Sequence, residues 1–124
     1  MNAAPDRRIL VIEDEGLIAL HIEDALTDLG CSVVGPVRAV EEAINLLDRQ
    51  PVDAALLDIN LGGGQTSYPI ADELGRRDIP FAFVTGYDAL GLLPQYRSRP
   101  IVAKPIDNAR LAETVAGLVP GLGA

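Results

Sequence analysis

Short apolar runs and amphipathic segments alternate along most of this chain. The run IleLeuValIle predicts a strand at 8–12, because continuous apolar runs are typical of strands buried on both faces of a parallel sheet. Apolar side chains then recur at helical spacing over residues 15–29, and Gly30 is a natural end for that helix. The alternation continues with strands predicted at 31–35, 53–57, 81–85 and 100–103 and helices predicted at 40–50, 70–77 and 107–118.

Two stretches break this alternation. Residues 61–69 contain three consecutive glycines and a proline, and we expect a loop there. Between Gly86 and Pro100, the only window for a fourth helix contains Gly91 and Pro94. Relative to alanine these residue types cost a helix interior roughly 1 and 3 kcal/mol, so we expect a fourth helix that is short or disordered.

Five strand–helix units with right-handed crossovers predict an α/β fold. The expected architecture is a doubly wound, flavodoxin-like, three-layer sandwich around a five-stranded parallel sheet of order 2-1-3-4-5. A length of 124 residues fits one domain, and a hydrophobic content of 48% supplies its core. We expect a single domain over residues 1–124, without an output domain.

Composition excludes several classes of partner. The formal net charge of -8 argues against binding to nucleic acid or to an anionic membrane surface. No apolar stretch approaches the roughly 20 residues of a membrane helix. The single cysteine, Cys31, cannot form an intrachain disulfide and is expected to be a buried structural thiol. These features favour a soluble cytoplasmic protein.

Polar residues follow four of the predicted strands. They are Glu13, Asp14, Asp58, Thr85 and Lys104. Because ligands of open parallel sheets bind in the crevice at the carboxyl ends of the strands, we expect these side chains to share one pocket.

The chemistry of that pocket points to a cation and a phosphoryl group. Crowded carboxylates repel one another unless a cation intervenes, and oxygen ligands suit Mg²⁺. No His or Cys joins the set, which disfavours zinc. Lys104 and Thr85 are suited to bind phosphoryl oxygens, and Asp58 is suited to accept the group as an acyl phosphate.

With these residues in place, the chain resembles the receiver domains of two-component response regulators over essentially its whole length. ValIleGluAspGlu resembles the family's acidic pair, LeuLeuAspIleAsn its phosphoacceptor segment, ValThrGly its switch threonine and AlaLysPro its lysine. All four occur in order and at strand ends.

The resemblance implies a role for each matched residue. Asp58 would accept the phosphoryl group from a histidine kinase or a histidine phosphotransfer protein. Asp14 would bind Mg²⁺ directly, Glu13 mostly through a water, and Asn60 through its backbone carbonyl. The proline after Lys104 would follow a cis peptide bond.

The chain also departs from the common receiver pattern. Many receivers carry an aromatic switch residue three positions before the lysine, where Ile101 stands here. Residues 80–88 resemble a subgroup with a PheAlaThrGlyTyr-like motif, whose members are often single-domain regulators that work with kinases of the HWE or related class. Tyr87 is either a substitute switch or a packing residue.

We therefore expect a stand-alone receiver of a phosphorelay, which catalyses only its own phosphorylation and dephosphorylation. Residues 86–99, the following strand and the last helix are expected to contact a downstream protein target. A phosphate sink for a shared kinase is an alternative. So is an aspartyl-nucleophile phosphohydrolase, although Asn60 stands where its general acid would be. A flavin-binding protein is disfavoured because no phosphate-binding loop follows the first strand.

Overall fold

The computed structural model describes residues 7–86 and 92–120, in which strands and helices alternate. The strands are β1 (Arg8–Ile12), β2 (Ser32–Val37), β3 (Ala54–Asp58), β4 (Asn60–Gly62), β5 (Gln65–Thr66), β6 (Phe81–Thr85) and β7 (Ile101–Ala103). The α-helices are α1 (Gly16–Asp28), α2 (Val40–Arg49), α3 (Tyr68–Arg76) and α4 (Asn108–Leu118).

Five of the strands form one parallel sheet in the order β2-β1-β3-β6-β7. Because the short strands β4 and β5 lie outside this sheet, its order is the predicted 2-1-3-4-5, and the prediction is confirmed. The central strand β3 is buried along its whole length. Its Leu56 is paired with Val11 on one side and with Ala82 on the other.

Successive side chains of the strands enter two separate cores, one on each face of the sheet. Helices α2 and α3 cover the face that receives Leu10, Phe81 and Phe83. Helices α1 and α4 cover the face that receives Val11 and Ala82. Full burial of one large aliphatic or aromatic side chain contributes roughly 1.5–3 kcal/mol, so strands that bury side chains on both faces contribute strongly to the stability of the fold.

The segment predicted as a loop at 61–69 is more ordered than expected, because β4 and β5 form an antiparallel hairpin there. Its turn residues, Gly63 and Gly64, have φ values of 58° and 79°, as a two-residue turn with positive φ at both positions requires. Helix α3 then begins at Tyr68. Pro69 fits its first turn because no intrahelical N–H bond is lost there.

Between β6 and β7, the described residues 92–100 contain one 3-10 turn, Pro94–Tyr96, and no α-helix. The proline at the start of this turn is compatible with the expected interruption. Residues 87–91 lie outside the described residues, and Tyr87 with them.

The joint between α1 and β2 contains Cys31, which is buried as expected. Its backbone N–H donates to the carbonyl oxygen of Leu26 at 3.0 Å, and burial raises the pKa of its thiol. The Lys104–Pro105 peptide bond is cis, also as expected. Among the described helices, none combines the length and apolar character needed to cross a membrane.

Candidate functional site

The strand ends that carry the predicted polar residues meet at one edge of the sheet. Asp58 is the last residue of β3 and is paired with Val84, which directly precedes Thr85. The backbone N–H of Lys104 donates to the carbonyl oxygen of Thr85 at 2.9 Å. The edge of the sheet therefore places these side chains next to one another without the help of a long loop.

The ammonium group of Lys104 lies at the centre of the site. Its Nζ is 3.1 Å from Oε1 of Glu13 and 3.3 Å from Oδ2 of Asp58. Oε1 of Glu15 lies 3.6 Å away on the solvent side. One cation thus contacts three carboxylates, of which two are buried.

Burial differs sharply across the site. Glu13 is 2% exposed and Asp58 is 7% exposed, whereas Asn60 is exposed. A cavity of about 280 Å³ opens above them, lined by Asp14, Glu15, Asp58, Asn60, Gly62, Thr85, Gly86 and Lys104. Glu13 is absent from this lining because its carboxylate lies beneath the floor.

The electrostatics of Asp58 and Lys104 follow from this burial. Burial and then the contact with Glu13 raise the pKa of Asp58, Lys104 partly opposes both effects, and the resulting pKa is about 7. Burial alone would lower the pKa of Lys104, but the hydrogen bond to Glu13 and the charge of Asp58 outweigh it, and this pKa is raised. The lysine therefore remains charged, while the carboxyl group of Asp58 exchanges its proton near neutral pH.

Four carboxylates form a group that fits a hard divalent cation. One oxygen from each of Glu13, Asp14, Glu15 and Asp58 lies within 4.8 Å of the others. Oε1 of Glu13 is buried and makes no hydrogen bond to the described residues, although it lies near Lys104. An all-oxygen donor set with excess negative charge is what Mg²⁺ prefers.

Glu15 belongs to this group, although it was not among the predicted site residues. It is the N-cap residue of α1, and its side chain makes no capping hydrogen bond. Its backbone N–H instead donates to Oε2 of Glu13 at 3.2 Å. The signal in the sequence was the run of three acidic residues at 13–15.

Gly62 is a second residue whose role the sequence pattern missed. Its φ is +82°, and a Cβ atom on it would lie 3.2 Å from Oδ2 of Asp14. The β4–β5 hairpin therefore lies directly against the Asp14 carboxylate. Glycines that suggested only loop flexibility instead allow a close approach between backbone and an acidic side chain.

The structure brings together Glu13, Asp14, Asp58, Thr85 and Lys104, and it places Asn60 at the rim of the same cavity. Ile101 does not line this cavity. It is partly buried and packs against the core beneath α2 and α3.

The fold and this site define a class of protein. The sequence model of the response regulator receiver domain matches residues 9–116, and the chain belongs to this family.

The chain is similar to one protein of about its own length and to part of a longer one. The solution structure of SdrG from Sphingomonas melonis Fr1 is 41% identical with a TM-score of 0.82, and the match covers 91% of this chain and 96% of that one. SdrG has also been described in a BeF3-activated conformation. The phyllosphere-induced regulator PhyR of Methylorubrum extorquens is 30% identical over 112 residues, which are 87% of this chain but 42% of PhyR. The chain thus spans less than half the length of that relative.

Proposed function

We propose that this receiver accepts a phosphoryl group on Asp58 from a histidine kinase or a histidine phosphotransfer protein and relays the signal by a phosphorylation-dependent conformational change. The contact between Lys104 Nζ and Asp58 Oδ2 at 3.3 Å, on the floor of an open cavity, is the observation that carries the proposal. A carboxylate oxygen of Asp58 attacks phosphorus, the P–N bond of the phosphohistidine breaks, and its electron pair returns to the imidazole nitrogen.

Thr85 and Lys104 have complementary roles in this step. The Lys104 ammonium is a point charge that binds one phosphoryl oxygen, and the Thr85 hydroxyl donates to another. Both lie on neighbouring strand ends joined by the 2.9 Å backbone hydrogen bond. Transfer of a phosphoryl group depends mainly on positioning and charge neutralisation. The strand ends position both side chains, and the Lys104 ammonium neutralises charge.

Mg²⁺ is the cofactor that we propose. Asp14 and Asp58 would bind it through carboxylate oxygens, Asn60 through its backbone carbonyl, and Glu13 mostly through a water. When bound, Mg²⁺ neutralises charge that develops on the transferring phosphoryl oxygens. Gly62 keeps the Asp14 carboxylate close to the hairpin, at the position described above.

The phosphodonor must approach this cavity from outside, and the start of α1 provides an apolar surface beside it. Leu17 is 85% exposed and Leu20 is 53% exposed. They are three residues apart and share one helix face, and Leu17 lies two residues after Glu15 at the rim of the cavity. Exposed leucines of this size next to a polar cavity support docking of the kinase, of the HWE or a related class, on α1.

The test is labelling with acetyl phosphate in the presence of Mg²⁺, which requires no cognate kinase. Wild type should be labelled at one residue, and Asp58→Asn should lose the label. Asp28→Asn, which removes an exposed carboxylate at the end of α1, is the matched control and should be labelled normally. Labelling of Asp58→Asn at the wild-type rate would overturn the proposal.

A further inference from the structure

Four aromatic rings pack together on one face of the sheet. Tyr68 comes from α3, Phe81 and Phe83 come from β6, and Tyr96 comes from the 3-10 turn. The Tyr96 ring stacks on Tyr68 with centroids 5.2 Å apart and an interplanar angle of 3°. It also meets Phe83 edge-on at 5.7 Å. Tyr96 therefore anchors the 3-10 turn to this core.

The hydroxyl of Tyr96 anchors the ring to α3. It donates to Oδ1 of Asp72 and lies 3.5 Å from the carbonyl oxygen of Tyr68. Burial, together with Asp72, raises the pKa of Tyr96 to about 12, so the hydroxyl stays a donor at any physiological pH. Since Tyr96 is only 5% exposed, loss of the bond to Asp72 leaves its buried hydroxyl with only weaker contacts, such as the 3.5 Å contact with the Tyr68 carbonyl oxygen.

The same ring cluster lies next to the switch position of the site. Side chains alternate along a strand, so Thr85 points to the same face of β6 as Phe83. Phe83 is in turn paired with Ile101 on β7. Ile101 occupies the place where many receivers carry their aromatic switch, and here Tyr96 supplies a ring to the same core from a different segment.

We infer that Tyr96 is a conformational latch that links the state of Asp58 to the segment 92–96. The inference rests on the proposed function. In the unphosphorylated protein, the bond from Tyr96 to Asp72 holds this segment against the sheet. When Thr85 turns toward a phosphoryl group on Asp58, space opens beside Phe83, the Tyr96 ring shifts into it, and its hydroxyl leaves Asp72.

When Tyr96 leaves Asp72, the exposure of apolar side chains in the segment 92–96 changes. Leu92 is 2% exposed and packs in the same core as Tyr96, whereas Leu93 beside it is already partly exposed. Once Tyr96 no longer holds the segment, Leu92 becomes accessible next to Leu93. The phosphorylated protein thereby gains an apolar surface that the free protein hides.

Hydrogen exchange of residues 92–96, measured with and without Mg²⁺ and beryllofluoride, tests the latch. In wild type, beryllofluoride should raise exchange there about tenfold, the factor expected when one buried hydrogen bond is lost. Y96F and D72A remove the bond from opposite ends, and both should exchange fast before beryllofluoride is added and change little afterwards. D72N keeps an acceptor oxygen and should behave as wild type.

Two outcomes would overturn the latch. One is slow exchange at 92–96 in Y96F and D72A with an undiminished beryllofluoride response. The other is a wild-type protein whose Thr85 amide resonance shifts with beryllofluoride while exchange at 92–96 stays the same. Failure of the proposed function looks different, because the Thr85 resonance would then not shift, or would shift equally in Asp58→Asn. Exchange within α4 serves as the control for general loosening of the fold.

Discussion

The side chain of Lys104 forms a largely buried ion pair with Glu13, with Nζ and Oε1 separated by 3.1 Å. Glu13 lies below the cavity floor and has no access to solvent that would compensate for loss of the lysine. The ion pair therefore serves two purposes, since the same ammonium neutralises a structural carboxylate and is positioned beside Asp58.

Replacement of Lys104 by Met should destabilise the protein at pH 8 by about 3–5 kcal/mol, the usual cost of leaving a buried charge without its partner. The loss should be smaller at pH 6, because Asp58, whose pKa is about 7, can then take up a proton and no longer needs the lysine. Chemical denaturation at both pH values measures it. Lys104→Arg keeps the charge and should lose less, and an equal loss in both variants would contradict the electrostatic explanation.

The stability of the metal-free protein should fall as the pH rises from about 4 to 7. The pKa of Asp58 is about 7 in the folded protein, above the ordinary aspartate value of 3.8, so the folded state binds the proton more tightly than the unfolded state. The stability that protonation of Asp58 contributes is lost, as the pH rises, at no more than about 1.4 kcal/mol per pH unit. Thermal unfolding with and without Mg²⁺ should show that Mg²⁺ stabilises more at pH 8 than at pH 6. Asp58→Asn should flatten the pH dependence of stability both with and without Mg²⁺. Unchanged profiles in this variant would argue against Asp58 as the group that takes up the proton.

Gly62→Ala should weaken Mg²⁺ binding as well as stability. The new methyl group would be placed 3.2 Å from Oδ2 of Asp14 and would also sit at a φ of +82°. Gly63→Ala is the matched control, since it has a φ of +58° but no atom within 4 Å of its Cβ position. Both variants should lose about 1–2 kcal/mol of stability from the left-handed backbone. Only Gly62→Ala should bind Mg²⁺ more weakly in a direct titration, and equal affinities would remove the role of Gly62 at Asp14.

Replacement of both Leu17 and Leu20 by Ser should slow phosphorylation by the kinase without slowing phosphorylation by acetyl phosphate. Both side chains are exposed in the free protein, so their loss costs little stability. Comparison of the two phosphodonors on one variant provides the internal control. Equal slowing with both donors would indicate damage to the site, and no slowing with the kinase would place its docking surface elsewhere.

The sequence predicted the sheet and the strand-end residues because both depend on local order. Asp58 and Thr85 each follow an apolar run directly, so topology alone brings them together. Gly62 and Tyr96 could not be predicted in this way. The importance of Gly62 lies in its distance from Asp14, and that of Tyr96 in its contacts with α3. The hairpin was missed because strands of three and two residues are too short to show alternation.

The division of the core by the sheet has a consequence for the order of binding events. Leu17 and Leu20 belong to α1, which covers one face, while Tyr96 and Leu92 belong to the core of the other face. A kinase docked on α1 and a target docked at 92–96 would occupy opposite sides of the molecule. The two surfaces that we propose therefore share no residue, and the proposal does not require the kinase and the target to compete for one surface.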